Sequence, residues 1–571
     1  MKNEKLKSWL IGTVGLLNDE ELFVLEKARE HFEINKTNDL TQKLFNSIHE
    51  KDKQKLLGIT YTPLEIRSEL TEVVLKKLAQ SKNLSNIKII DPCCGSGSFS
   101  ITLLEKLIQL GIKPIDALKN NIFFQDIDKL SVALSMINIY EYSKRIDIDA
   151  SEIKLNASVA DFLVTREKYD GFITNPPYVK LQNLEVSTRE FLKEKYSQLF
   201  TGALGLSAIF LKKMFDDLNT GGVIGVITQN NFFTSNSGAL LRKEIQNNIL
   251  KVDTFGSEPV FEGVTAYTCL MYLTNENQTS FEYRKITNQN RFNQKTSKIK
   301  NNSLNPSKWR LGSKDELEDL IKLESIGVPL KDACRIWVGI ATQFDKGFTV
   351  FLEGKNWVGT TPLGQKITVE KGIVKRLIRV ADLTTHESIK HNDRGIIYPY
   401  EIVKGKPIAM LESDLNNQFP KAYEFLLSWK TDLMAREKGR VDESDWYKWG
   451  RIQSMIPVHN KLLTKTFNRG PCFYFDESDS LFSNGYALTP KSEKYNLKFV
   501  QAVLNSEIFC YYAKLTSFEI EGQYQCYQKN FIERFCLPDV DVKEQMKICE
   551  INKLDDFLID YYNLNYNPAS A

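Results

Sequence analysis

In GFITNPPYVK (171–180) an apolar run ends at Ile173, and Asn175, Pro176, Pro177 and Tyr178 then follow in a row. Proline holds φ at about −65°, donates no N–H and pushes the residue before it into an extended conformation. The Asn175 amide oxygen and the Pro176 carbonyl can therefore converge as two fixed acceptors, with the Tyr178 ring as a flat wall beside them. Such a site suits a planar group that carries an NH2. A Pro-Pro pair also serves ordinary turns, so the reading depends on what surrounds it.

Three further stretches supply that context. IIDPCCGSGSFS (89–100) places Asp91 at the end of an apolar run, followed by a Gly95-Ser96-Gly97 turn and a helical pattern. Glycine lets the backbone come close to a ligand, although a tight turn without ligand has the same composition. In FFQDIDKL (123–130), Asp126 ends the next strand-like run, where an acid can grip the two hydroxyls of a ribose. It comes later than the roughly 20 residues usual in a dinucleotide fold, and GIKPIDALKN accounts for the excess. Asp128 competes for that role but is better placed to start the following helix. In SVADFLV (158–164), Asp161 can accept from an exocyclic amine and Phe162 can cover a purine face. Asp161 also reads as a turn or helix-capping residue.

The elements that must position these residues alternate. From about 56 to 275, strand-like NIKIID, NIFFQD, GFITN and GVIGVIT are interleaved with helical SFSITLLEKLIQL, KLSVALSMINIYEYS and SAIFLKKMFDDL, and TAYTCLMYL reads as a late strand. This predicts a doubly wound α/β sheet. Residues 1–55 read as a short N-terminal helical segment that caps this sheet, with DEELFVLEKAREHFEI its best amphipathic stretch. The polar stretch 275–308 reads as a boundary region. Beyond about 310 the pattern becomes mixed α+β, with one helix expected over 496–515. The expected domains are 1–55, 56–300 and 301–571.

Composition narrows the class. With 571 residues, 42% hydrophobic and 26% charged, the chain suits two or three globular domains. No run of about 18 apolar residues is present, so no membrane span is expected. WLIGTVGLL near the N-terminus is too short, and too soon followed by acids, to read as a signal peptide. Nine cysteines without CxxC spacing and five scattered histidines predict free thiols, no metal centre and a cytoplasmic protein. The net charge of +3 is nearly neutral, which still permits a locally basic cleft.

In order, DPCCGSG, the acid of FFQD, ADF and NPPY resemble class I S-adenosylmethionine-dependent amino-methyltransferases. With GITYTPLEI (58–66) upstream, and GGVIGVITQNNFF and PVFEGVTAYTCLMYL downstream, the resemblance is to gamma-class N6-adenine DNA methyltransferases (EC 2.1.1.72). VGIATQFDKGFTV, DWYKWGR, KLLTKTFNRGPCFYFD and the stretch 504–538 resemble a Taq-type C-terminal specificity domain. The resemblance implies a Rossmann-like catalytic domain and a mixed α+β DNA-recognition domain. It implies S-adenosyl-L-methionine as cofactor, held by Thr62, Pro63, Asp91, Pro92, Cys93, Gly95, Gly97, Asp126, Ile127, Asp161 and Phe162. Asn175, Pro176 and Tyr178 are then catalytic, with Phe261 stacking on the target base opposite Tyr178.

Double-stranded DNA is the implied partner, a cognate restriction endonuclease a further one, and the chain is expected as a monomer. Arg440, Arg451, Lys465 and Lys529 are candidate DNA-facing cations that also read as ordinary surface charges. Cys93 and Cys94 read as small packing residues in the cofactor turn, not as nucleophiles. Gly205-Leu206-Ser207 stands where the family often has Asp-Leu-Tyr, which puts in doubt any contact normally made there. N4-cytosine methylation and glutamine N5-methylation of protein pose the same problem of a planar NH2 and are the alternatives. A specificity subunit with an inactive cofactor fold is disfavoured, because each catalytic position is filled.

Overall fold

A computed structural model describes residues 4–35, 61–197, 205–256, 260–261, 267–286, 292, 294–520, 522–551 and 553–566. The chain divides into two compact units, 1–314 and 315–571.

The first unit is built on one nine-stranded sheet. Its strands are β1 (Ile89–Asp91), β2 (Ile122–Asp126), β3 (Asn156–Val159), β4 (Tyr169–Thr174), β5 (Leu218–Gln229), β6 (Ile249–Thr254), β7 (Thr268–Thr274), β8 (Ser280–Lys285) and β9 (Ser297–Lys300). They lie in the order β3-β2-β1-β4-β5-β7-β6-β8-β9. β3, β2, β1, β4 and β5 are mutually parallel, and β7 runs antiparallel between β5 and β6. Strand order reverses between β1 and β4, so the chain leaves their carboxyl ends in opposite directions and a crevice forms there.

Helices cover the sheet as the apolar periodicity predicts. They are α1 (Glu4–Val14), α2 (Asp19–Asn35), α3 (Leu64–Leu78), α4 (Ser98–Gln109), α5 (Lys129–Arg145) and α6 (Leu206–Asp216). Asp128 caps α5, its carboxylate accepting from the Ser131 N–H at 3.1 Å. α1 and α2 dock on the first unit. Trp9 Nε1 donates to the Ile153 carbonyl at 3.1 Å, and Arg29 pairs with buried Glu141 at 3.0 Å. Within 4–35 the expected helical segment is thus two helices, α1 and α2, and the rest of 1–55 lies outside the described residues. β8 and β9 occupy part of the stretch read as a polar boundary. Strands at the end of a sheet keep one face in water, so their alternation is mostly polar and escapes a reading by apolar runs.

The second unit is mixed α+β. Strands Cys334–Val338, Tyr486–Pro490, Lys461–Thr464 and Phe473–Asp476 form an antiparallel sheet, and a six-stranded sheet runs from Lys366–Val369 to Leu481–Ser483. Lys461 and Asp476 make a fully buried ion pair at 2.7 Å across the first of these. The single helix expected over 496–515 is two, Leu497–Leu504 and Glu507–Thr516. Asn505 breaks it: its side-chain oxygen accepts from the Phe473 N–H at 2.8 Å, and Ser506 then caps the second helix by accepting from the Phe509 N–H. Capping residues inside an apolar periodic run are easily taken for helix interior.

Candidate active site

The crevice at the β1/β4 reversal is where the sequence-predicted residues meet. Asp91 ends β1 and Thr174 ends β4. The Thr174 hydroxyl donates to Asp91 Oδ1 at 2.7 Å, and the Cys93 N–H reaches the same oxygen at 3.3 Å. Asp91 Oδ2 is buried with no hydrogen-bond partner. Burial pushes the Asp91 carboxyl up to about 7, with nearby Asp126 adding to the rise. A buried carboxylate oxygen without a donor costs free energy unless a ligand donor or cation reaches it.

The glycine turn has two distinct roles. Gly97, at φ +78°, is pressed against α5: a Cβ there would lie 2.8 Å from Ser135 Cα. Gly95, at φ +51°, faces open space, and its N–H donates to Asp126 Oδ2 at 3.1 Å. Asp126 Oδ1 accepts from the Asp128 N–H at 3.0 Å. Burial raises the Asp126 carboxyl to about 6. Its two oxygens thus hold the turn, and each keeps a second lone pair for a ligand hydroxyl. Pro92 is buried and Ile127 is exposed at the mouth of β2.

Two links join this pocket to the Asn-Pro-Pro-Tyr loop. The Cys93 thiol lies 3.0 Å from the Thr174 hydroxyl and 3.5 Å from the Asn175 carbonyl, and burial drives both Cys93 and Cys94 thiols well up, which suits packing residues and not nucleophiles. Asn175 Nδ2 donates to the buried Thr62 hydroxyl at 3.0 Å. Thr62 immediately precedes Pro63, which starts α3. With the NH2 end of the amide committed to Thr62, the opposite end of the group is its acceptor. Tyr178 is half-buried, its hydroxyl 3.4 Å from the Ile227 carbonyl, and its ring lies 5.9 Å from that of Phe261 at 54°.

Not every candidate joins this cluster. Phe162 is 2% exposed and packs between Phe172 and Phe210, so its ring is core. The Asp161 carboxylate accepts from the Leu163 N–H at 2.9 Å, a local turn contact. In the second unit, Arg440, Arg451 and Lys529 are exposed and Lys465 half-buried. Lys529 borders a cleft with Arg335, whose guanidinium lies 4.5 Å over the Trp337 ring, two residues the sequence reading passed over. Thr174 was also missed. Its signal is a hydroxyl immediately before Asn175 at a strand end, which composition alone does not separate from an ordinary β-former. Gly205 stands at the start of α6, and the Leu206 N–H donates to the Val179 carbonyl at 2.9 Å, tying the loop's exit to that helix. Among the described residues no group of histidine, cysteine, aspartate and glutamate could hold a metal ion, and no helix is long and apolar enough to cross a membrane.

Known proteins resemble the chain in sequence and in fold. The family model of the Eco57I restriction-modification methylase matches residues 26–261. The type II restriction enzyme and methyltransferase RM.Eco57I of Escherichia coli is 25% identical over 421 residues, covering 67% of this chain and 42% of that protein. The type II methyltransferase M.BstVI of Geobacillus stearothermophilus is 22% identical over 542 residues, covering 85% of this chain and 92% of that one. The chain therefore spans less than half the length of the first relative and nearly all of the second. Among solved structures, the type IIL restriction-modification enzyme MmeI in complex with DNA superposes with a TM-score of 0.63 at 15% identity, over 92% of this chain and 74% of that one, which is a likeness of fold. Over residues 26–261 the chain is thus similar to the Eco57I restriction-modification methylase.

Proposed function

We propose that the protein transfers a methyl group from S-adenosyl-L-methionine to N6 of an adenine flipped out of double-stranded DNA, as the modification enzyme of a restriction-modification system. The observation that carries this reading is the link between an orphaned buried carboxylate and the acceptor loop: Asp91 through Thr174 and Cys93 to Asn175, which Thr62 also holds. The pocket fits the cofactor. Asp91 Oδ2 lacks a donor that an ammonium group could supply, the Asp126 oxygens keep lone pairs for ribose hydroxyls, and Gly95 leaves backbone open to close approach. When bound, the cofactor supplies an electrophilic methyl group.

The chain's own part is positioning. Adenine N6 is a weak nucleophile because its lone pair is shared with the ring. Asn175 Oδ1 and the Pro176 carbonyl each accept one N6 hydrogen, which localises the lone pair and aims it along the transfer axis. Pro177 lacks an N–H, so the segment stays extended and its carbonyls stay out of helix hydrogen bonding. Tyr178 offers the base a face. Extrusion from the duplex costs a few kcal/mol, and stacking returns about 1–3 kcal/mol per aromatic contact.

Incubation with labelled cofactor and unmethylated plasmid DNA, followed by identification of the modified base, tests the reading. N6-methyladenine supports it, and N4-methylcytosine or unlabelled DNA overturns it. In the same assay Asn175→Ala abolishes transfer while cofactor affinity persists, whereas Asp126→Ala weakens cofactor binding measured by calorimetry. Full methylation by Asn175→Ala would overturn the acceptor role.

A further inference from the structure

The second unit carries a two-stranded ribbon, Tyr400–Val403 paired with Lys406–Ala409, that joins no other strand among the described residues. Every residue from Glu401 to Lys406 is exposed. One face shows Val403 and Ile408 at 44% and 52% exposure beside Glu401 and Lys406, and the other shows Ile402 at 47% beside Pro407. A ribbon this short, with apolar residues open on both faces, is not stable by itself.

Its feet are fixed firmly. The Tyr400 hydroxyl accepts from the Trp449 N–H at 2.6 Å, the Tyr447 hydroxyl donates to the Met410 carbonyl at 2.7 Å, and the Met410 N–H donates to the Pro399 carbonyl. DWYKWGR, one of the stretches that resembles a specificity domain, thus anchors this projection. The tip is a tight turn through Lys404 and Gly405, at φ +50° and +74°. Hairpin turns of this kind take asparagine or glycine at the first position. A lysine there is strained, and strain retained at an exposed tip points to use of its charge. Pro407 borders the cleft of about 750 Å³ that also holds Ile452, 80% exposed, with Arg335 and Lys529 at its sides and Glu533 as its acid.

We infer that this ribbon enters the major groove of DNA, with Lys404 and Lys406 on phosphates and Val403 and Ile408 against base edges. The major groove admits a two-stranded ribbon, and apolar side chains read the thymine methyl group there. Lys529 pairs with Glu533 at 4.0 Å, which leaves Lys404, Lys406 and Arg335 against Glu401 along ribbon and cleft, an excess that complements a polyanion. The inference rests on the DNA-methyltransferase reading above.

The test uses the full chain and unmethylated plasmid DNA, with methylated sites mapped by single-molecule sequencing and binding titrated across salt concentrations. Lys404→Asn/Lys406→Ala does not lower the melting temperature, leaves cofactor affinity unchanged, weakens DNA binding about tenfold and makes the slope of log affinity against log salt shallower by about 1.8. Ile408→Ser alters the set of methylated sequences. Unchanged affinity, salt slope and sites in these variants, with active wild type, overturn the ribbon alone. Variants that change only the sedimentation of the chain assign the ribbon to a second copy and also overturn it. Inactive wild type on DNA defeats the proposed function and the ribbon with it.

Discussion

Asp91 shows how a single residue trades stability for binding. It is 4% exposed, its Oδ2 has no partner, and its carboxyl sits at about 7 against an ordinary 3.8. The folded chain therefore holds a proton that the unfolded chain has lost between those values. The penalty is absent below about 4, grows as pH rises through the window and is complete above about 7. The shift corresponds to on the order of 4 kcal/mol, and an asparagine amide with its own unmet polar end would recover only part of it. Asp91→Asn should therefore raise the melting temperature of the cofactor-free protein at pH 8, with the gain vanishing near pH 4. Cofactor binding behaves in the opposite sense. An ammonium donor needs the ionised carboxylate, so wild-type affinity should fall as pH drops from 8 to 6, with proton release on binding, and Asp91→Asn should bind weakly at both. Calorimetry in buffers of differing ionisation enthalpy measures this, and pH-independent binding without proton release would refute the assignment.

At the scale of elements, the crevice is created by strand order, and strand order is what brings β1 and β4 side by side. One consequence concerns Tyr178 and Phe261, 83 positions apart in number yet with rings in contact at 5.9 Å. Rings at that separation already touch, so no base fits between them until Phe261 moves aside. Phe261→Ala removes one stacking face worth about 1–3 kcal/mol. It should raise KM for DNA between about fivefold and a hundredfold while kcat changes little, because the acceptors remain. An unchanged KM would show that Phe261 does not face the base. The sequence made much of this candidate site legible: Asp91, Gly95, Gly97, Asp126 and Asn175 are recognisable from the order of their motifs along the chain, since each residue alone has other uses. Phe162 shows the limit. An aromatic after a strand can as well be core, and only the packing of Phe172 and Phe210 decides it. The exposed ribbon was illegible for a different reason, since EIVKGKPIA pairs apolar neighbours around a Lys-Gly turn and gives no sign that both faces stay open.

Across the whole molecule, the candidate site draws its residues from the first unit alone: Thr62, Asp91, Asp126, Asn175, Tyr178 and Phe261 all precede the division at 314. Each unit also has its own buried core, one centred on Ile89, Leu104, Ile137 and Ile227, the others on Phe509, Tyr512 and Phe535 and on Phe348, Phe425 and Trp446. Separate cores allow separate unfolding transitions in a chain of this size. A ligand that binds only the folded first unit stabilises it by about 2.7 kcal/mol at a hundred times its Kd, enough to move a transition by several degrees. Scanning calorimetry of the full chain should then show two transitions, of which a non-reactive cofactor analogue raises one. Asp91→Asn should abolish that rise without moving the other transition. Lys404→Asn/Lys406→Ala should leave the rise intact, since those residues belong to the second unit. A cofactor analogue that raised every transition equally, or a ribbon variant that abolished the rise, would overturn the placement of the cofactor site in the first unit alone.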